Sequence, residues 1–136
     1  FCVVVDHNWK TLWEHRFVDP LSDAETLELD RNGHILEIGS ESESSGNVDA
    51  QYIGLLKIRE DYIEEFTRVY RELSNDGSEA VEMTHFIQHL IDTGWTVQSV
   101  SILGSWLELD TTGDLELYNS ELDSGTSLPH LSWCIE

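Results

Sequence analysis

A β-hairpin near residue 30 limits the possible folds more than any other part of this sequence. Two short segments of apolar and polar residues, 26–29 and 35–38, flank the sequence Asp30-Arg31-Asn32-Gly33. Asn-Gly readily adopts the positive φ angles of a type I′ turn, so the segment predicts a tight hairpin. Part of it resembles a calcium loop, but the ligand spacing is incomplete, and we interpret it as a turn.

Further strand and helix patterns alternate along the chain. A β-branched run, Cys2 to Val5, predicts a buried strand that ends at Asp6, and segments 52–58 and 97–102 also have strand composition. Apolar residues at helical spacing predict helices in 9–17, 61–73 and 83–91. We therefore expect one α/β domain over 1–122, with a mobile loop at 40–47 and an irregular tail at 123–136. Because the chain opens inside a strand, we expect further sequence upstream.

The charge of the chain excludes several classes of partner. Acidic residues number 27 against 7 basic ones, which gives a formal net charge of −20. Nucleic acids and anionic membranes would be repelled. No apolar segment has the length of a membrane-spanning helix, so we expect a soluble, cytoplasmic protein. Cys2 and Cys134 lie far apart without metal-ligand spacing, and we expect free thiols.

The most informative segment is 104–115. Its apolar part, Trp106-Leu107-Glu108-Leu109, predicts a strand that ends at Asp110. Thr111 or Thr112 can then cap a helix, with Asp114 in the first turn, where the helix dipole favours an anion.

Several segments, in the same order, resemble the second half of the sugar-phosphate nucleotidyltransferases, and in particular their phosphocholine cytidylyltransferase-like branch. They cover most of residues 3–119 and comprise Val3-Val4-Val5-Asp6 with Trp9 and Trp13, the hairpin from Leu29 to Gly39, Gln51-Tyr52-Ile53-Gly54-Leu55, Met83-Thr84, and Trp106-Leu107-Glu108-Leu109-Asp110-Thr111 with Asp114-Leu115.

The resemblance implies a mixed sheet flanked by helices, similar to the C-terminal half of a GT-A-like fold. It implies a reaction in which a phosphorylated alcohol attacks the α-phosphate of a nucleoside triphosphate and releases pyrophosphate. Asp110 matches the aspartate that helps to hold Mg²⁺ in this family. The cleft around Asp110 would include three further candidate residues, Asp6, Glu108 and Trp106. Its ligand would be a nucleotide or a phosphorylated small molecule.

Two departures from the family pattern bear on activity. The Gly-rich nucleotide-binding loop and the first metal aspartate have no counterpart in this sequence. Nucleotidyl transfer depends on positioning and charge neutralisation, so we expect no turnover from this chain alone. Ser40-Glu41-Ser42 also stands where members commonly have a lysine that faces a substrate phosphate.

A second hypothesis is a stand-alone, non-catalytic module for binding or assembly. A sheet cut from a larger fold has an unpaired apolar edge, at Val3 to Val5 or its neighbour, and such edges are normally covered. This predicts a homodimer, with Leu131 and Trp133 of the tail as covering residues. An independent hydrolase has little support, because the sequence has no nucleophile elbow, HExxH motif or Cys-His pairing.

Overall fold

The computed structural model describes residues 1–42, 45–75 and 80–125. These form an α/β domain, as the sequence predicts, with short 3₁₀ turns between some elements. The strands are β1 (Cys2–Asp6), β2 (Glu25–Leu29), β3 (Ile35–Glu41), β4 (Gln51–Lys57) and β5 (Gln98–Ile102). The helices are α1 (Trp9–Arg16), α2 (Ile63–Leu73), α3 (Met83–Asp92) and α4 (Thr112–Ser124).

The larger sheet is mixed, as the resemblance implies, and has the strand order β4-β1-β5. β1 pairs antiparallel with β4 and parallel with β5. Of the two positions expected for an open edge, Val3 to Val5 or the neighbouring strand, the first is wrong, because β1 is the central strand and both Val3 and Val5 are 0% exposed. Two strands that follow much later in the chain cover it.

The two outer edges of this sheet differ. The first part of β5 is closed by the β2–β3 hairpin, since the Ser99 amide donates to the Gly33 carbonyl (2.8 Å) and the Ile35 amide donates to the Val97 carbonyl (2.9 Å). Within the described residues, β4 has a strand partner on its β1 side only. Among the described residues, the open edge therefore lies at β4, the neighbouring strand that was the second of the two expected positions.

The β2–β3 hairpin forms where the sequence predicts it, but its turn is not type I′. Of the two residues expected at positive φ, only Gly33 has one, at 78°. The Asp30 carboxylate accepts hydrogen bonds from the amides of Asn32 (2.7 Å) and His34 (2.8 Å). These bonds stabilise a wider loop, because an aspartate side chain can organise the backbone that follows it.

Two apolar clusters stabilise the domain. The first joins the two sheets to α3 and includes Val3, Val5, Ile38 and Ile87. The second is built on α1, whose predicted apolar residues are buried and contact α4; its members are Trp9, Leu12, Trp13, Ala24, Val48 and Tyr118. Aliphatic and aromatic side chains of this size each contribute about 1.5–3 kcal/mol when fully buried. The second cluster positions the segment between β5 and α4.

Several sequence predictions fall partly or wholly outside the described residues. Residues 43 and 44 of the predicted mobile loop lie outside them, as do Leu131, Trp133 and Cys134 of the tail. Cys2 is a free thiol. Among the described residues, no helix has both the length and the apolarity needed to cross a membrane.

Candidate functional site

Asp6 ends β1, and its side chain is completely buried at 0% exposure. Oδ1 accepts hydrogen bonds from the amides of Asn8 (2.8 Å) and Gly104 (2.8 Å), and Oδ2 accepts one from Nε1 of Trp106 (2.9 Å). The Asp6 carboxylate therefore links the end of β1 to the segment after β5, and it is not accessible to a ligand from solvent. The prediction that Asp6 lines a cleft is therefore wrong, because residues almost 100 positions away cover it.

The Asp6 contacts hold a sharp bend after β5. Gly104 and Ser105 both have a φ of 75°, a conformation that costs energy at a non-glycine residue such as Ser105. Beyond the bend, the Trp106 ring packs at 6.2 Å from the Trp13 ring of α1. The bend and this ring contact direct the following residues along α1.

The segment 106–110 is not a strand, contrary to the sequence prediction. It has no secondary structure, and none of its residues pairs with a strand in the described parts of the chain. Alternation of apolar residues predicts a strand only where a neighbouring strand is present to pair with it. The predicted helix cap, in contrast, is confirmed: Thr111 and Asp114 form a capping box at the start of α4.

Three carboxylates from this region surround the guanidinium of Arg16, the last residue of α1. Its Nη1 donates to Glu108 (2.6 Å), its Nη2 to Asp110 (3.0 Å), and its Nε and Nη2 to the two oxygens of Asp114 (2.8 and 3.1 Å). The Arg16 side chain is 1% exposed and lies over the Phe17 ring at 4.8 Å. The cation at the centre of this cluster is therefore a residue of the chain itself.

The environment of the cluster separates the pKa values of its members. Burial and the nearby charge of Asp110 raise the pKa of Glu108 to about 7, against the opposing effect of Arg16. The hydrogen bonds from Arg16 hold the pKa of Asp114 far below its usual range. Burial opposes the charge on Arg16, but the hydrogen bonds to Asp114 and Asp110 outweigh it and raise the pKa of the guanidinium.

Asp110 is the most accessible member of the cluster. Its side chain is 58% exposed, whereas those of Glu108 and Asp114 are 27% and 6% exposed. Within the described residues, its Oδ2 contacts Arg16 and its Oδ1 has no hydrogen-bond partner. Asp110 thus offers one carboxylate oxygen to a ligand from solvent.

One cavity opens beside this cluster, and a second shares part of the lining of the first. One, of about 310 Å³, is lined by Glu108 and Trp13 and by Asp23 and Glu25 near the start of β2. The other, of about 560 Å³, shares Asp23 and Glu25 and also includes Glu41. No lysine or arginine lines either cavity among the described residues. Glu41, which stands where the family commonly has a lysine, therefore lies in acidic surroundings that oppose a phosphate.

The donor set fits Mg²⁺ only in part. No three histidine, cysteine or carboxylate side chains are grouped to hold a metal ion in the described residues. Mg²⁺ in nucleotide enzymes usually takes one or two carboxylates, with phosphates and water as its other ligands. The free oxygen of Asp110 fits one such position.

The structure therefore brings together three of the four predicted site residues. Trp106, Glu108 and Asp110 follow one another along α1, whereas Asp6 lies buried behind Trp106. Sequence reasoning missed Arg16. The signal was its position three residues after Trp13 on the apolar side of a helix, because a cation placed there in so acidic a chain needs carboxylate partners.

Comparison with known proteins gives one informative relative. The chain is 39% identical over 121 residues to a CTP:phosphoglutamine cytidylyltransferase of Campylobacter jejuni subsp. jejuni, and the match covers 85% of this chain and 47% of the relative. No protein-family model matches the chain. No solved structure matches it either.

The chain thus spans about half the length of the curated relative it matches, which is consistent with a C-terminal half. Together with the mixed sheet, the match confirms the resemblance drawn from the sequence motifs: over most of its length, this chain resembles part of a nucleotidyltransferase.

Proposed function

We propose that this chain forms the metal and acceptor side of a nucleotidyltransferase active site of the cytidylyltransferase type. The reaction would transfer a cytidylyl group from CTP to a phosphorylated small molecule and release pyrophosphate. The observation that supports this proposal most directly is the exposure of Asp110. This residue lies in the segment after the Gly104 bend, and its Oδ1 has no hydrogen-bond partner among the described residues. The similarity to a cytidylyltransferase supports CTP as the nucleotide to test first.

In this proposal, Asp110 provides one oxygen ligand to Mg²⁺, and the phosphates of the nucleotide provide others. The bound Mg²⁺ would neutralise charge on the phosphates. Asp114 accepts a hydrogen bond from the Asp110 amide (3.1 Å), and Glu108 shares the Arg16 guanidinium with the Asp110 side chain. A basic side chain for the triphosphate has to come from elsewhere, since neither of the two cavities is lined by one among the described residues. The isolated chain is therefore expected to release no pyrophosphate from CTP.

Calorimetric titration with Mg²⁺ and CTP, separately and together, tests this proposal. We expect heat that requires both components and disappears in Asp110→Asn. Asp61→Asn is the matched control, because Asp61 is 59% exposed and is also paired with an arginine, Arg59. Equal heats from the wild type and both variants would show that Asp110 is not a metal ligand.

A second candidate function, a non-catalytic assembly module, is favoured by one observation. The outer edge of β4 has no partner strand among the described residues, and Leu55 on that strand is 59% exposed. Pairing of two such edges would give a homodimer. Sedimentation equilibrium would then report twice the chain mass of 15.6 kDa, and a charged edge in Leu55→Lys would lower it. A monomer at every concentration would remove this candidate.

A further inference from the structure

Arg16 contacts the proposed metal ligand Asp110 and two further acidic residues of the same segment, Glu108 and Asp114. It is 1% exposed, and its guanidinium makes four hydrogen bonds to Glu108, Asp110 and Asp114. An arginine has five N–H donors in a fixed planar arrangement, and this one uses three of its nitrogen atoms. The rings of Phe17 (4.8 Å) and Trp13 (5.6 Å) lie against the guanidinium and limit its movement.

The same guanidinium also acts on the backbone of Asp110 through Asp114. Oδ2 of Asp114 accepts hydrogen bonds from Nη2 of Arg16 (3.1 Å) and from the amides of Asp110 (3.1 Å) and Thr111 (2.9 Å). Asp114 is 6% exposed, so it has little freedom to turn toward solvent. Arg16 therefore reaches Asp110 by two routes, directly at the side chain and through Asp114 at the main chain.

We propose that Arg16 is a positioning residue that fixes both the side chain and the backbone of Asp110, so that Oδ1 of Asp110 faces a divalent cation. This inference rests on the proposed function for the role of Asp110, but the positioning itself involves only residues of this chain. In this role Arg16 acts through Asp110 and is not itself a ligand of the metal. A carboxylate held by a buried arginine stays in one orientation, and residues that hydrogen-bond to a metal ligand in this way commonly raise metal affinity by about 10–100-fold.

The opposite role for Arg16 is competition. An arginine that already neutralises Asp110 could weaken metal binding, in which case its removal would increase affinity. The two roles predict changes of opposite sign, so one measurement separates them.

The test uses Mn²⁺, which favours the same oxygen ligands as Mg²⁺ and broadens nearby NMR signals. Mn²⁺ is titrated into the ¹⁵N-labelled chain in the presence of CTP, which would provide the other ligands, and at physiological ionic strength, which screens weak binding to the acidic surface. In the wild type we expect broadening at 108–112 that is lost in Asp110→Asn. In Arg16→Met the apparent affinity should fall by about 10-fold or more. Unchanged or tighter binding in Arg16→Met would overturn the inference.

A second measurement separates the inference from the proposed function. Solvent exchange of the Asp110 and Thr111 amides should become faster by on the order of 10-fold in Arg16→Met, because Asp114 is no longer held against them. Unchanged exchange would overturn the positioning role. Accelerated exchange, with identical Mn²⁺ binding in the wild type and Asp110→Asn, would support positioning and refute the metal role in the proposed function.

Two variants control for misfolding and for charge. Arg68→Met removes an arginine that is 57% exposed and forms an (i, i+4) pair with Glu72, so neither readout should change. Arg16→Lys keeps the positive charge but loses the planar donor set. If positioning depends on that geometry, Arg16→Lys should retain a folded spectrum and still show the faster exchange. Full recovery by lysine would show that charge alone is sufficient and would overturn the geometric role.

Discussion

Replacement of Asp6 by alanine should destabilise the domain strongly, because Asp6 is a structural residue. The change removes the acceptor of three hydrogen bonds, from Asn8, Gly104 and Trp106, at a position with 0% exposure. A buried donor left without a partner costs about 1–3 kcal/mol. Relief from burying a carboxylate offsets part of this cost, so the net loss should be about 3–5 kcal/mol.

Such a loss is a large part of the roughly 10 kcal/mol that holds a domain of this size folded. At about 3 °C per kcal/mol, Tm should fall by roughly 10–15 °C. Asp6→Asn should show an intermediate effect of about 1–2 kcal/mol, because the amide oxygen can still accept from backbone donors while its NH₂ group opposes Nε1 of Trp106.

Urea denaturation followed by tryptophan fluorescence measures these losses. Asp61→Ala is the control, since Asp61 is 59% exposed and should change the free energy of unfolding by no more than about 0.5 kcal/mol. A loss below about 1 kcal/mol for Asp6→Ala would refute the reasoning. If nucleotide binding also disappeared, Asp6 would instead belong to an open site, as first predicted from the sequence.

Two other predictions concern charge and backbone geometry. Burial and the charge of Asp110 raise the pKa of Glu108 from 4.5 to about 7, so the folded state binds the Glu108 proton more tightly than the unfolded state does. Glu108 therefore lowers the free energy of unfolding as the pH rises from about 4.5 to about 7. Asp110→Asn removes that charge and should lower the pKa of Glu108 in a ¹³C NMR titration. A rise in the pKa would show that the charge of Asp110 is not one of the causes of the shift. Gly39→Ala places a Cβ 2.7 Å from Cβ of Thr84 at a φ of +88°, whereas Gly54→Ala at +80° meets no atom within 4 Å. Thermal denaturation should show a cost for Gly39→Ala larger by about 1–3 kcal/mol, and equal costs would contradict the crowding at Thr84.

The features that could be predicted from the sequence are those set by neighbouring residues. The β2–β3 hairpin follows from Asn32-Gly33 and its flanking strands, and the start of α4 follows from Thr111 and Asp114. The apolar stripe of α1 identifies Trp9 and Trp13 as core residues. Each of these depends on contacts within a few positions, where propensity and periodicity are informative.

The features that could not be predicted depend on distant contacts. Burial of Asp6 requires Gly104 and Trp106, about 100 positions further along the chain, to fold back over it. The central place of β1 depends on β5 in the same way. The segment 106–110 has strand composition but no partner strand among the described residues, so its local pattern predicts the wrong secondary structure.

The outer edge of β4 also affects how the isolated chain behaves at high concentration. An unpaired strand can serve as a template for self-association, and such growth can lead to aggregation. At neutral pH, a net charge of −20 keeps the copies apart, but this repulsion vanishes near the isoelectric point of about 4.3. Mild acidification and concentrated salt, which screens the charge, are therefore the conditions in which preparations of this chain should precipitate first.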